Sequence, residues 1–223
     1  MSVANNLKSV EEKIVAACQY AGVDVVVPRL IAVSKQQPKT AVAAALEAGQ
    51  RVFGENRVQE AIERWTVFSK DYDGLELHLI GSLQTNKARD AVALFDVIHV
   101  LDRPKLAHAL AKEMQAQNKT CDVFIQVNLG EEDQKGGVAP DNLLELLTLA
   151  RDTLGMRVVG LMAIPPADNL AAPYFGLLRK LAERYNLPRL SMGMSTDYDV
   201  AAAMGATDIR VGTAIFGERS KHP

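Results

Sequence analysis

The chain is short of several things, and each shortage removes a class of protein. Cysteine occurs only twice in 223 residues, at Cys18 and Cys121. That spacing makes neither a disulfide framework nor a metal-ligand cluster, and it suits a reducing compartment. No apolar run approaches the roughly 20 residues that a membrane-spanning helix needs. The opening, MSVANNLKSVEEK, is polar and acidic where a secretory signal would be apolar. The 25 Lys and Arg nearly balance the 27 Asp and Glu, for a net charge of −2. No broad basic field is therefore available to hold nucleic acid. Low-complexity tracts and long linkers are also missing. Together these absences predict a soluble cytoplasmic protein with neither a nucleic-acid nor a membrane partner.

Apolar residues, by contrast, make up 48% of the chain, enough for a full core. They fall into a repeating alternation. After a leading helix at about 5–21, apolar runs of strand length alternate with helical patterns. The runs lie at 29–35, 51–56, 75–81, 96–102, 121–130, 156–166, 189–194 and 208–217. Pro38 suits the first turn of the first intervening helix and Gly49 its end. Eight strands alternating with helices predict a (β/α)8 TIM barrel, with 1–223 forming one domain. A doubly wound open sheet is the alternative, but no G-x-G-x-x-G follows the first strand.

In such a barrel, chemistry sits at the carboxyl ends of the strands. Lys35 closes the first apolar run, RLIAVSK, and alternation places it on the face of Ile31 and Val33. Glu55 and Asn56 end the second run, His78 lies in the third and Asn128 in the fifth. Arg210 shares a face with Gly212 on the eighth, and both charged groups are expected to point inward above a packed apolar layer. Each residue also has a structural reading: Asn56 as a helix cap, His78 as a satisfied core histidine, Arg210 paired with Asp208 or Asp199.

Near the C-terminus, SMGMST and VGTAIFG bring small residues to the loops after strands seven and eight. Those loops are the usual phosphate seat of the fold, where backbone N–H groups approach an anion. A lysine facing a phosphate seat, with an arginine between them, points to a phosphorylated aldehyde or ketone, because an amine attacks a carbonyl. Pyridoxal 5′-phosphate (PLP) and a sugar phosphate bound by a Schiff-base aldolase both satisfy that chemistry.

Five motifs in order narrow the choice. AVSKQQP, FGENRVQE, HLIGSLQTNK, SMGMSTDYDVA and RVGTAIFGER resemble the marks of the pyridoxal phosphate homeostasis proteins, also called PLP-binding proteins. The resemblance runs from about Leu30 to Gly217 and departs from the usual pattern only at Thr85 and Thr196. It implies a barrel like the N-terminal domain of bacterial alanine racemase (fold type III, without the second β-domain). It implies an internal aldimine between PLP and Lys35, and a phosphate held by Ser195, Gly212 and Thr213. Arg210 would face the pyridine nitrogen, Asn56 and His78 would line the pocket near the ring, and Met162 and Met194 would form apolar walls. QKGGVAP, which contains Lys135, Gly136 and Gly137, keeps the character of the family's fifth loop.

The resemblance also implies a monomer that buffers or delivers PLP, with free amino acids and PLP-dependent apo-enzymes as further partners. A guanidinium is a permanent donor that favours an unprotonated ring nitrogen, a poor electron sink. The expected function is therefore carriage rather than turnover. A small racemase using Lys35 as base is the alternative, and a Schiff-base aldolase a more distant one.

Overall fold

The computed structural model describes residues 2–22, 26–130, 136–166 and 170–218. Eight parallel strands close into a barrel in sequence order, β1 (Arg29–Val33) pairing with both β2 (Val52–Glu55) and β8 (Asp208–Val211). Between them run β3 (Glu76–Leu79), β4 (Val97–Leu101), β5 (Asp122–Gln126), β6 (Val158–Met162) and β7 (Arg189–Ser191). The β1–β8 pairing, Ile31 opposite Arg210 and Ala32 opposite Val211, rules out the open sheet.

The helices are α1 (Val3–Ala21), α2 (Lys39–Glu47), α3 (Val58–Phe68), α4 (Ala88–Leu94) and α5 (Pro104–Ala116). α6 (Leu143–Leu147), α7 (Ala171–Arg184), α8 (Tyr198–Ala203) and α9 (Thr213–Phe216) follow, with short 3-10 turns at Thr85–Lys87 and Pro140–Asn142 and a π-helical turn at Thr148–Thr153. Local chemistry sets several of their ends. Ser2 caps α1 by accepting from the Asn5 N–H at 3.3 Å, and Pro104 opens α5, where its missing N–H costs no helical hydrogen bond. Gly49, with φ at 97°, turns the chain out of α2 as expected. No described helix is long and apolar enough to cross a membrane.

All eight strands are shorter than their apolar runs, and in the last two a glycine marks the break. The 189–194 run stops pairing at Ser191, because Gly193 takes φ 91° and turns the chain. A Cβ there would also lie 2.5 Å from the Ala201 Cβ, so only glycine fits. The 208–217 run splits at Gly212, and its second half winds into α9.

The apolar core lies mainly between strands and helices, where Trp65 of α3 sits 4.7 Å from Phe53 of β2 and 5.8 Å from Phe68, ring to ring. The barrel interior departs from the expected apolar packing. His78, His99, Ser191, Asp208 and Arg210 are all buried within the strands. Toward the strands' amino ends, Arg29 pairs with Glu76, and Arg189 with Asp208 and Asp122, while the Arg189 guanidinium lies 4.9 Å from the Phe124 ring centre.

Candidate cofactor site

Lys35 is presented by a turn that side chains hold from below. β1 ends at Val33, and Gln36 adopts a left-handed φ of 58°, which reverses the chain just past the lysine. Arg64 of α3 donates to the backbone carbonyls on both sides of Lys35, those of Ser34 and Gln37, the latter at 3.0 Å. The same guanidinium pairs with Glu55 of β2 at 2.7 Å. Glu55 is almost wholly buried and also accepts from Ser34 Oγ at 2.8 Å and Trp65 Nε1 at 3.1 Å. Burial lifts its carboxyl above the ordinary range, with Arg64 and the two neutral donors opposing. This clamp was invisible as such in the sequence. FGEN placed Glu55 at a strand end, but nothing local marked Arg64, nine residues on, as its partner.

Next to the end of β1, whose neighbour in the barrel is β8, the turn after β7 meets the turn after β8. Ser195 Oγ accepts from the backbone N–H groups of Gly212 at 3.2 Å and Ala214 at 3.4 Å. The hydroxyl thus occupies one position where converging amides look for an oxygen. Asp197 steadies this turn by accepting from the Met194 N–H at 2.6 Å.

Arg210 lies between the two poles, 3% exposed, donating to Ser191 Oγ and to the Ala163 carbonyl at 3.0 Å. Burial pulls its pKa down to about 10 against the attraction of Asp197 and Asp208, so it stays charged at neutral pH. Pairing with Asp208, the structural alternative, does not occur, because Arg189 takes both oxygens of that carboxylate.

These groups surround one cavity of about 260 Å³. Of the expected residues, the structure brings Lys35, Asn56, Met194, Ser195, Arg210, Gly212 and Thr213 to its wall. It does not bring His78 or Met162 there. Both are wholly buried one layer too deep, and the wall is formed instead by Ile80 and Ile164, two residues further along the same strand directions. Period-two alternation gives the right face but not the height at which the packed interior ends. Thr196, read in the sequence as one of the polar residues after strand seven but not as a cofactor contact, also lines the cavity, and so does Gln37, which sequence reasoning missed. Lys135 lies outside the described residues; Gly136 accepts from Gln126 Nε2 at 2.9 Å, and neither it nor Gly137 lines the cavity.

Asn56 carries a separate signal. Its Oδ1 is buried with no hydrogen-bond partner among the described residues, although the residue lines the cavity. Its backbone is pressed against Gly81, where a Cβ would come within 2.4 Å of the Asn56 carbonyl. An orphaned acceptor held in a cavity wall marks a place for a polar ligand.

One mouth of the closed parallel barrel thus holds a lysine, a buried arginine and an amide-lined cradle together. Comparison with known proteins makes this specific. The family described as alanine racemase, N-terminal domain, matches residues 6–220. The chain is 42% identical to the pyridoxal phosphate homeostasis protein of Aquifex aeolicus, over 98% of this chain and 99% of that one. To the protein of the same name in Escherichia coli K12 it is 39% identical, over 97% of each chain. PipY of Synechococcus elongatus, solved with PLP bound, superposes with a TM-score of 0.84 at 37% identity, covering 97% of this chain and all of that one. Alanine racemase from Corynebacterium glutamicum shares the fold alone, with a TM-score of 0.68 at 18% identity over 61% of that chain. The chain belongs to the alanine racemase N-terminal domain family and, within it, to the pyridoxal phosphate homeostasis proteins.

Proposed function

We propose that this protein binds PLP through Lys35 and serves as a cytoplasmic carrier or buffer of the cofactor. The observation that carries the reading is the shared cavity, which sets a lysine, a buried guanidinium and an amide cradle around a volume suited to one small ring. PLP supplies an aldehyde for an amine, a phosphate for the cradle and a ring nitrogen for a donor. Each has a counterpart: Lys35 for covalent attachment, Ser195 with Gly212 and Thr213 for the phosphate, and Arg210 for the nitrogen. Asn56 offers its orphaned oxygen beside the ring, and Met194, Ile80 and Ile164 supply apolar wall. The likeness to PipY, whose structure holds PLP, supports the same reading.

Carriage is favoured over turnover by Arg210. Its guanidinium donates at every physiological pH, so it prefers an unprotonated ring nitrogen, the form least able to take up electron density. Free amino acids and PLP-dependent apo-enzymes are the partners that a monomeric single-domain carrier would meet.

Borohydride reduction of the PLP-loaded protein tests the assignment. It should fix one pyridoxyl group on the peptide containing Lys35, and Lys35→Ala should abolish the visible absorption band of the bound cofactor. Equal labelling of Lys39 or Lys87 in the native protein would rule the assignment out.

A further inference from the structure

Beneath the cavity, the barrel interior holds an unbroken line of polar side chains that the site itself leaves unexplained. Arg210 Nη1 donates to Ser191 Oγ. Ser191 Oγ lies 2.8 Å from His99 Nδ1, and His99 Nε2 lies 2.8 Å from His78 Nδ1. His78 Nε2 in turn lies 2.8 Å from Glu76 Oε1. The line crosses four strands, β8, β7, β4 and β3, and every member except Glu76 is buried. Glu76 reaches the opposite rim, where its side chain is 33% exposed and paired with Arg29.

Both ends of this line have a fixed chemical sense. A guanidinium only donates, and an ionised carboxylate only accepts. The hydrogen bond from His78 holds the Glu76 carboxyl below its usual range, and burial holds His99 well below its ordinary value. If each imidazole carries a single proton, one arrangement satisfies all four contacts. Ser191 donates to His99 Nδ1, His99 Nε2–H donates to His78 Nδ1, and His78 Nε2–H donates to Glu76. Starting the other way, with a proton on His99 Nδ1, leaves His78 Nε2 as a bare acceptor facing a carboxylate. Two protons on His78, by contrast, would reverse the line and make His99 Nδ1–H donate to Ser191.

We propose that Glu76, His78, His99 and Ser191 form a one-directional relay of positioning residues that fixes how Arg210 meets the cavity. Ser191 keeps its lone pairs toward the guanidinium because its own proton is committed to His99. Every dipole along the relay turns its negative end toward Arg210. Among the described residues no carboxylate is in ion-pair contact with Arg210, and these aligned dipoles take the place of a counter-ion. The guanidinium N–H groups not engaged by Ser191 and Ala163 are left for the cavity. The relay thereby selects an uncharged ring nitrogen, an acceptor, over a protonated one. This last step rests on the PLP reading above.

The relay and the reading can be tested apart. In ligand-free, ¹⁵N-labelled protein at neutral pH, ring-nitrogen shifts should show His78 and His99 both neutral with the proton on Nε2. A proton on Nδ1 of His99, or a doubly protonated His78, would overturn the relay whether or not PLP binds. The second arm compares PLP with an analogue whose ring nitrogen is replaced by C–H. The wild type should prefer PLP by about tenfold or more, the value of one hydrogen bond to a charged group. Ser191→Ala and His99→Phe (the latter keeping the stack on Phe124, 4.4 Å away) should lower that preference at least about threefold. Both should leave the preference for PLP over pyridoxal in place. Equal weakening of PLP and its analogue would show a merely structural role and overturn the selection. Failure of the wild type to bind PLP would overturn the ring-nitrogen step, while the tautomers still decide the relay.

Discussion

The two sides of the cavity are built from opposite materials. On the β1–β2 side, full charges hold the backbone: Arg64 clamps the Ser34 and Gln37 carbonyls and is itself anchored by buried Glu55. On the β7–β8 side, backbone amides converge on a single hydroxyl, Ser195 Oγ, and small residues let them approach. On the function proposed above, the difference follows from what each side would have to do. A lysine on a long flexible stem reaches one point reproducibly only if its turn is rigid, and charged hydrogen bonds to carbonyls supply that rigidity. An anion needs only donors in a concave array, and amides fixed in turns provide them without a flexible side chain.

Removing the clamp is the most severe way to break this contrast. Arg64→Ala strands a buried carboxylate and frees two carbonyls, and should destabilise the fold by about 3–5 kcal/mol. Urea unfolding measures that loss, and PLP attachment to Lys35 should slow with it. A loss below about 1 kcal/mol would mean that the pair behaves like a surface salt bridge.

Thr213→Val probes the other side more gently, because it deletes one hydroxyl at nearly constant shape. It should weaken PLP by about tenfold or more with pyridoxal little affected, since only PLP carries the phosphate. Equilibrium titration of both ligands checks this, and equal weakening would remove Thr213 from the cradle.

The smallest effect concerns acid stability. Glu76 has its carboxyl lowered from 4.5, chiefly by the hydrogen bond from His78. A lowered group contributes stability that is present above its unfolded value and lost as pH falls through its folded one. Glu76→Gln should therefore flatten the decline of stability below about pH 4.5, measured by denaturant unfolding across that range. Glu55, raised by burial, contributes with the opposite sign, so the two carboxylates are separable by their slopes.

How far the sequence reached depends on what is local. Lys35 and the small residues of SMGMST and VGTAIFG announce themselves, because a charge ending an apolar run and a cluster of turn formers are properties of a few adjacent residues. His78 and Met162 were expected in the cavity wall but lie buried one layer beneath it, and Ile80 and Ile164 take their places in the wall. The pairing of Arg64 with Glu55, and the passage of Arg210 to Ser191 rather than Asp208, had no local mark at all.

By itself the sequence determined the alternation of eight strands with helices, the lysine at a strand end and the small-residue loops after strands seven and eight. Each follows from side-chain periodicity or turn chemistry over fewer than about ten residues. Only the tertiary structure decided that β1 meets β8, how high the interior is filled, and which buried donors find which acceptors. Those outcomes depend on the stagger between strands far apart in the chain, and a shift of two residues there exchanges one layer of side chains for the next without altering any local pattern.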